Sequence, residues 1–218
     1  MLTEYRLPTV GGRKPNAVGL FLHGYGDCGS GGLLSIGEVW QPTLPDCEFI
    51  CPDAPFPLEA APPDYQGRQW FSLMDRSADA ISRGVRHAAP ILNEYIDHVL
   101  ETRGITPDRL VLIGFSQGTM MSLYVGPRRD KPVAGIIGYS GKLVDGDLLP
   151  VQKKSTMPVL LVHGTADDIV PYPALADAER GLRAAEIPVT SVTCPGLGHS
   201  IDDRGLIEGL AFIRKILG

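Results

Sequence analysis

The stretch that most constrains this chain runs from Leu110 to Leu123: Leu-Val-Leu-Ile, then Gly-Phe-Ser-Gln-Gly, then Thr-Met-Met-Ser-Leu. Four consecutive branched apolar residues suit a strand buried on both faces. Small residues at 114 and 118 permit a cramped turn, and a helical pattern follows. The segment therefore predicts strand, tight turn and helix, with Ser116 at the apex. A glycine-bracketed serine is a weak signal alone in a chain with 26 glycines, and the flanking strand and helix give it weight. Such a turn lifts the serine hydroxyl above the sheet. It also leaves the N–H of Gln117, at the start of the helix, aimed at whatever Ser116 attacks, where a developing oxyanion meets a donor and the helix dipole.

The remaining chain reads as alternating strands and helices. Strands are predicted at 4–7, 17–22, 48–52, 133–139, 158–162 and 189–193, with helices at 33–40, 77–103, 174–185 and 204–217. Pro90 is expected to kink or split the long second helix. Alternation of this kind means a mainly parallel sheet with helices on both faces, whose site is built by the connections at the carboxyl ends of the strands. With 218 residues, 44% of them hydrophobic, one domain spanning 1–218 is expected.

The net charge of -5 is spread without acidic or basic blocks, which argues against nucleic acid as the main partner. Cys28, Cys47, Cys51 and Cys194 lack zinc-type spacing and fit a reducing compartment. The first residues lack a basic segment followed by an apolar core, and no apolar run approaches bilayer length. The expectation is a cytoplasmic protein without stable membrane insertion, for which a homodimer stays among the open oligomeric states.

Three more strand ends carry chemistry. His23-Gly24-Tyr25-Gly26-Asp27 follows the second strand, and the N–H of Tyr25 is the natural second oxyanion donor. His163-Gly164-Thr165-Ala166-Asp167-Asp168 and Gly196-Leu197-Gly198-His199 follow later strands and fall on the same sheet edge as Ser116. A serine hydroxyl needs a base to take its proton, and a histidine serves best when a carboxylate fixes its tautomer. Of five histidines, His87 and His98 are helical, while His23 and His163 open glycine loops and more plausibly brace them; His199 is the base of choice. By spacing alone the acid is Asp167 or Asp168, with Asp145 or Asp147 as fallback. A long Pro-rich connection from Asp53 to Phe71 carries Phe56, Tyr65, Trp70 and Phe71, which either line an apolar substrate pocket or cover core edges.

Leu-His-Gly-Tyr-Gly-Asp at 22–27, Gly-Phe-Ser-Gln-Gly at 114–118, His-Gly-Thr-Ala-Asp-Asp-Ile-Val-Pro at 163–171 and Gly-Leu-Gly-His at 196–199 together resemble the phospholipase/carboxylesterase family of small carboxylesterases and acyl-protein thioesterases. The order Ser, Asp, His is that of α/β-hydrolases. The resemblance implies a cap-less α/β-hydrolase fold in which Ser116 is the nucleophile, His199 the base and Asp167 the acid, selected by the family's His-Gly-x-x-Asp pattern. It further implies an oxyanion hole from the N–H groups of Tyr25 and Gln117, and no metal or organic cofactor. Arg68-Gln69-Trp70-Phe71 resembles a Trp-Phe segment near the family's acyl groove, so Trp70, Phe71 and Phe56 are the expected substrate contacts. Ser72 stands where an acidic residue is common, and Tyr25 where leucine is.

The expected reaction is hydrolysis of small- to medium-chain carboxylic esters through an acyl-enzyme. The alternatives are an acyl-protein thioesterase or lysophospholipase acting on long acyl chains, and a ligand-binding homologue without catalysis. The expected partner is a small-molecule or lipid ester.

Overall fold

Five strands form the middle of one sheet, each buried on both faces; four are mainly apolar and the fifth, at 47–52, carries the buried Glu48 paired with Arg103. In the computed structural model, which describes residues 2–59, 61–62 and 64–218, these are β2 (Ala17–Leu22), β3 (Cys47–Pro52), β6 (Leu110–Phe115), β7 (Gly135–Tyr139) and β8 (Val159–Gly164). β1 (Glu4–Leu7) adds an antiparallel edge against β3, with Glu4 opposite Pro52, and β9 (Val189–Cys194) closes the other edge in parallel with β8. The seven-stranded order is β1-β3-β2-β6-β7-β8-β9. Both edge strands are more open than the middle five: β1 has no buried residue, and β9 buries only Val192 and Cys194. Met1, Ala60 and Pro63, which fall in the N-terminal and Pro-rich segments, lie outside the described residues.

Helices cover both faces. α1 (Leu34–Trp40) and α6 (Asp203–Leu217) pack Ile36, Trp40 and Ile213 onto Phe21, Phe49 and Val111. The opposite face carries α2 (Ala78–Arg103), α3 (Gln117–Val125), α4 (Leu149–Gln152) and α5 (Pro173–Ala184), which bury Val85, Leu92, Met121, Leu149 and Leu182 against Val18, Leu20, Leu112 and Leu161. Each such aliphatic side chain contributes roughly 1.5–3 kcal/mol on leaving water. Gly19 has no room for a side chain, since a Cβ there would lie 2.6 Å from the Phe49 ring.

Two expectations change. The expected split at Pro90 does not occur, since α2 runs 26 residues from the Ser77 cap to Gly104 in the left-handed conformation. Pro90 lies on the exposed side of the helix, where the Arg86 carbonyl that loses its partner meets water. The connection after β3, which has no structure evident from sequence, contains a two-stranded ribbon of β4 (Phe56–Pro57) and β5 (Arg68–Gln69).

The chain leaves β2 toward β3 on one side and returns to β6 on the other. The connections after β2 and β6 therefore diverge, and this is where an open α/β sheet forms its crevice.

Candidate active site

Ser116 stands between β6 and α3 with φ 54° and ψ −112°, backbone that a non-glycine residue enters at a cost of about 1–3 kcal/mol. The surroundings hold it there. Its N–H donates to the Tyr139 carbonyl at 2.9 Å, and the Thr119 hydroxyl lies 2.8 Å from both the Gly114 and Tyr139 carbonyls. Position 118 must be glycine for a different reason: a Cβ there would lie 1.8 Å from the Leu22 carbonyl oxygen. That close approach brings the start of α3 against the end of β2, so the two diverging connections meet beside Ser116.

His199 arrives from the connection after β9. Its Nε2 lies 2.9 Å from Ser116 Oγ and its Nδ1 lies 2.8 Å from Asp167 Oδ2. An ionised carboxylate only accepts, so Nδ1 carries the proton and Nε2 is left to accept from the serine hydroxyl. The Phe115 ring packs beside the imidazole, with centroids 4.9 Å apart. The loops bearing His199 and Asp167 are tied together. Ala166 N–H donates to the Leu197 carbonyl at 2.9 Å, Gly196 N–H donates to Thr165 Oγ1 at 2.8 Å, and a Cβ on Gly164 would lie 2.1 Å from the Leu197 carbonyl oxygen.

Asp167 is buried, and its other oxygen accepts from the N–H groups of Ile169 at 3.0 Å and Val170 at 2.8 Å. Burial disfavours its ionisation, but the bonds from His199 and from those two amides outweigh it and hold the carboxyl below the usual aspartate value. Asp168 is exposed. The fallback acids are elsewhere: Asp145 Oδ2 accepts from Ser82 at 3.0 Å and pairs with Arg86 at 2.8 Å on α2, and Asp147 is exposed.

The remaining histidines brace or decorate. His23 is buried; its Nδ1 donates to the Gly24 carbonyl at 2.7 Å and its Nε2 accepts from Ala54 N–H at 3.0 Å. Burial lowers that ring's basicity, against the pull of the Gly24 carbonyl. His163 Nε2 lies 2.8 Å from the Val170 carbonyl and 3.2 Å from Asp167 Oδ2, so it steadies the acid's loop. His87 stacks on Phe56 and His98 lies beside Tyr95.

A cavity of about 530 Å³ opens beside Ser116 and His199, walled by Tyr25, Leu73, Ile81, Met120, Ile169 and Val170. The expected aromatic contacts are not among its walls. Trp70 is fully buried: its indole N–H donates to the His23 carbonyl at 3.1 Å and its backbone N–H to Gln117 Oε1 at 2.8 Å, while Gln117 Nε2 donates to the Phe71 carbonyl at 2.8 Å. The Trp-Phe segment thus props the two loops that flank Ser116 from behind. Phe71 is buried and meets a separate shallow groove with Phe56 and His87, and Tyr65 is exposed with its hydroxyl donating to the Gly26 carbonyl at 2.8 Å. The walls that sequence reading missed come from helix starts and strand-end loops. Ile81 and Met120 fit the helical core pattern equally well, and the apolar run Ile169-Val170-Pro171 after the acid was the one available signal. A larger groove of about 860 Å³ lies between α2 and the far end of α3 and contains none of the residues around Ser116.

Residues 9–217 match the family model described as Phospholipase/Carboxylesterase. The chain is 32% identical to acyl-protein thioesterase 1 of Gibberella zeae over 91% of this chain and 89% of that protein. It is likewise 32% identical to the protein of that name from Neurospora crassa, over 86% and 81%. The crystal structure of esterase PE8 superposes with a TM-score of 0.93 at 35% identity, covering 99% of both chains. Acyl-protein thioesterase 2 of Zea mays shares the fold, with a TM-score of 0.71. The fold is that of an α/β-hydrolase, and the protein is an enzyme of the serine hydrolase class. With its sheet, its elbow at Ser116 and a match from residue 9 to 217, this chain belongs to the phospholipase/carboxylesterase family.

Proposed function

We propose that the protein hydrolyses small- to medium-chain carboxylic esters, with Ser116 as nucleophile, His199 as base and Asp167 as acid. The observation that carries this reading is the continuous line from Ser116 Oγ through His199 to Asp167, at 2.9 and 2.8 Å, at the mouth of an apolar cavity. The Ser116 proton passes to His199 Nε2 as Oγ attacks the ester carbonyl. Negative charge develops on the carbonyl oxygen and is met by the N–H groups of Tyr25 and Gln117, the latter at the positive end of α3. The imidazolium, stabilised by Asp167, then protonates the departing alkoxide. Water repeats the sequence on the acyl-enzyme and releases the acid.

The relatives named acyl-protein thioesterase 1 favour a second reading, hydrolysis of long-chain thioesters. Against it stands Lys142, which lines the cavity and is half-buried, an awkward neighbour for a long alkyl chain.

A chain-length series of para-nitrophenyl esters, run beside a palmitoyl thioester, decides between them; the proposed reading expects an optimum at short or medium chains. In the same assay Ser116→Ala should fold and lose activity by about 10⁶. A variant retaining a tenth of the rate defeats the assignment.

A further inference from the structure

Four charged residues line the cavity beside Ser116: Asp27, Arg76, Lys142 and Asp177. Both carboxylates are engaged. Asp27 Oδ1 accepts from Cys28 N–H at 2.8 Å, and Asp177 pairs with Arg180 at 2.5 Å. The cations differ. Among the described residues, neither the Lys142 ammonium nor the Arg76 guanidinium makes a hydrogen bond or ion pair with another side chain.

Lys142 is fixed by its backbone. The residue two before it, Ser140, holds φ 47° with its N–H donating to the Val162 carbonyl at 2.9 Å, and a Cβ on Gly141 would lie 2.3 Å from the Thr119 side chain. Lys142 is therefore delivered to the cavity from the connection after β7, close to the helix that follows the nucleophile. Partial burial pushes its ammonium below the ordinary lysine value, and no facing carboxylate offsets this. A lysine that needs only water extends its head outward along an apolar stem. Lys142 lines the cavity together with Ile81, Met120 and Val170, and its half-buried ammonium gives up hydration without receiving a side-chain partner, which a bound anion restores.

We infer that this site takes esters bearing an anionic group remote from the reacting carbonyl, such as the half-ester of a dicarboxylic acid, with Lys142 holding that group in the cavity and Arg76 at its exposed rim. The inference rests on the ester-hydrolase reading and specifies its substrate class. Water adds across the ester bond, its hydroxyl going to the acyl carbon and its proton to the alkoxide, so the anion itself is a spectator that orients the substrate.

Two substrate pairs test this and tell on which side of the ester the anion lies. On the acid side, para-nitrophenyl hemiglutarate is compared with para-nitrophenyl pentanoate; on the alcohol side, para-carboxyphenyl butanoate is compared with phenyl butanoate. The quantity read is the ratio of kcat/KM for the charged ester over its neutral partner. Lys142→Met should lower that ratio at least about tenfold in one pair, and Lys142→Arg should recover most of it. Raising ionic strength to about 1 M should shrink the same ratio in the unaltered enzyme, a readout that needs no variant. Unchanged ratios in both pairs overturn the inference while hydrolysis of the neutral esters leaves the ester-hydrolase reading standing. If no ester of either kind is hydrolysed, that reading falls and this one with it.

Discussion

Asp167 and Asp168 are neighbours in the chain with opposite surroundings: Asp167 is buried with its Oδ2 2.8 Å from His199 Nδ1, and Asp168 is exposed. Steady-state kinetics on two single variants should separate them. Asp167→Asn should lower kcat by roughly 10⁴, because an amide can no longer fix the tautomer that leaves Nε2 free to accept. Asp168→Asn should cost less than about tenfold. The reverse result would assign the acid to Asp168 and leave nucleophile and base in place.

Gly118→Ala should be far worse than an exposed glycine-to-alanine change. Its new methyl would lie 1.8 Å from the Leu22 carbonyl oxygen, a backbone atom that cannot swing aside. Urea denaturation should show a loss of about 3 kcal/mol or more, with esterase activity falling alongside because β2 and α3 are forced apart at the oxyanion donors. Unchanged stability would mean that the two segments are not in the contact described.

Trp70 and Leu73 should behave differently toward chain length. Trp70 is sealed behind the site, so Trp70→Ala should destabilise the fold by about 3–5 kcal/mol and reduce kcat/KM by a similar factor for acetyl and longer esters. Leu73 lines the cavity, so Leu73→Ala should raise KM more for longer chains, which alone reach it. A chain-length-dependent loss for Trp70→Ala would return the indole to the substrate.

The acid limb of the rate profile should be a single ionisation. Burial alone would raise the Asp167 value, but its bonds to His199, Val170 and Ile169 hold it below the aspartate reference of about 3.9. A carboxyl depressed in the folded state contributes stability above its unfolded value and loses it only as pH falls through the folded value. It therefore stays charged throughout the working range. Asp167 should add no step of its own above pH 5: log kcat/KM should rise there with a slope no greater than one, and a slope of two, with chemistry limiting, would show a second group titrating.

The sheet was legible because β2, β6, β7 and β8 are buried on both faces and so read as largely apolar runs, whereas β3 carries Glu48 in its interior, paired with Arg103. Ser116, His199 and Asp167 were legible because each needs a specific residue type at a strand end, and glycines flag the close approaches there. The walls of the cavity were hidden by the ambiguity of apolar side chains. Trp70 looks equally suited to a groove or a core, and only its contacts with His23 and Gln117 decide. Pro90 suggested a split that α2 does not have, because whether the carbonyl a proline orphans meets water is a fact of burial that local sequence does not carry.

The reacting groups and the cavity walls share the same connections and differ in which atoms they use. Ile169 lines the cavity while its N–H donates to the Asp167 carboxylate, and Leu73 follows the Trp70-Phe71 segment that braces His23 and Gln117. The ties to the reacting groups on these two connections run through backbone atoms and buried side chains, which leaves the Leu73 and Ile169 side chains outside them. An exchange of side chain at either position alters which ester fits while the attacking oxygen keeps its place, whereas a change of length in the same connections displaces both. Heritable variation in substrate choice is thereby channelled into point replacements rather than insertions.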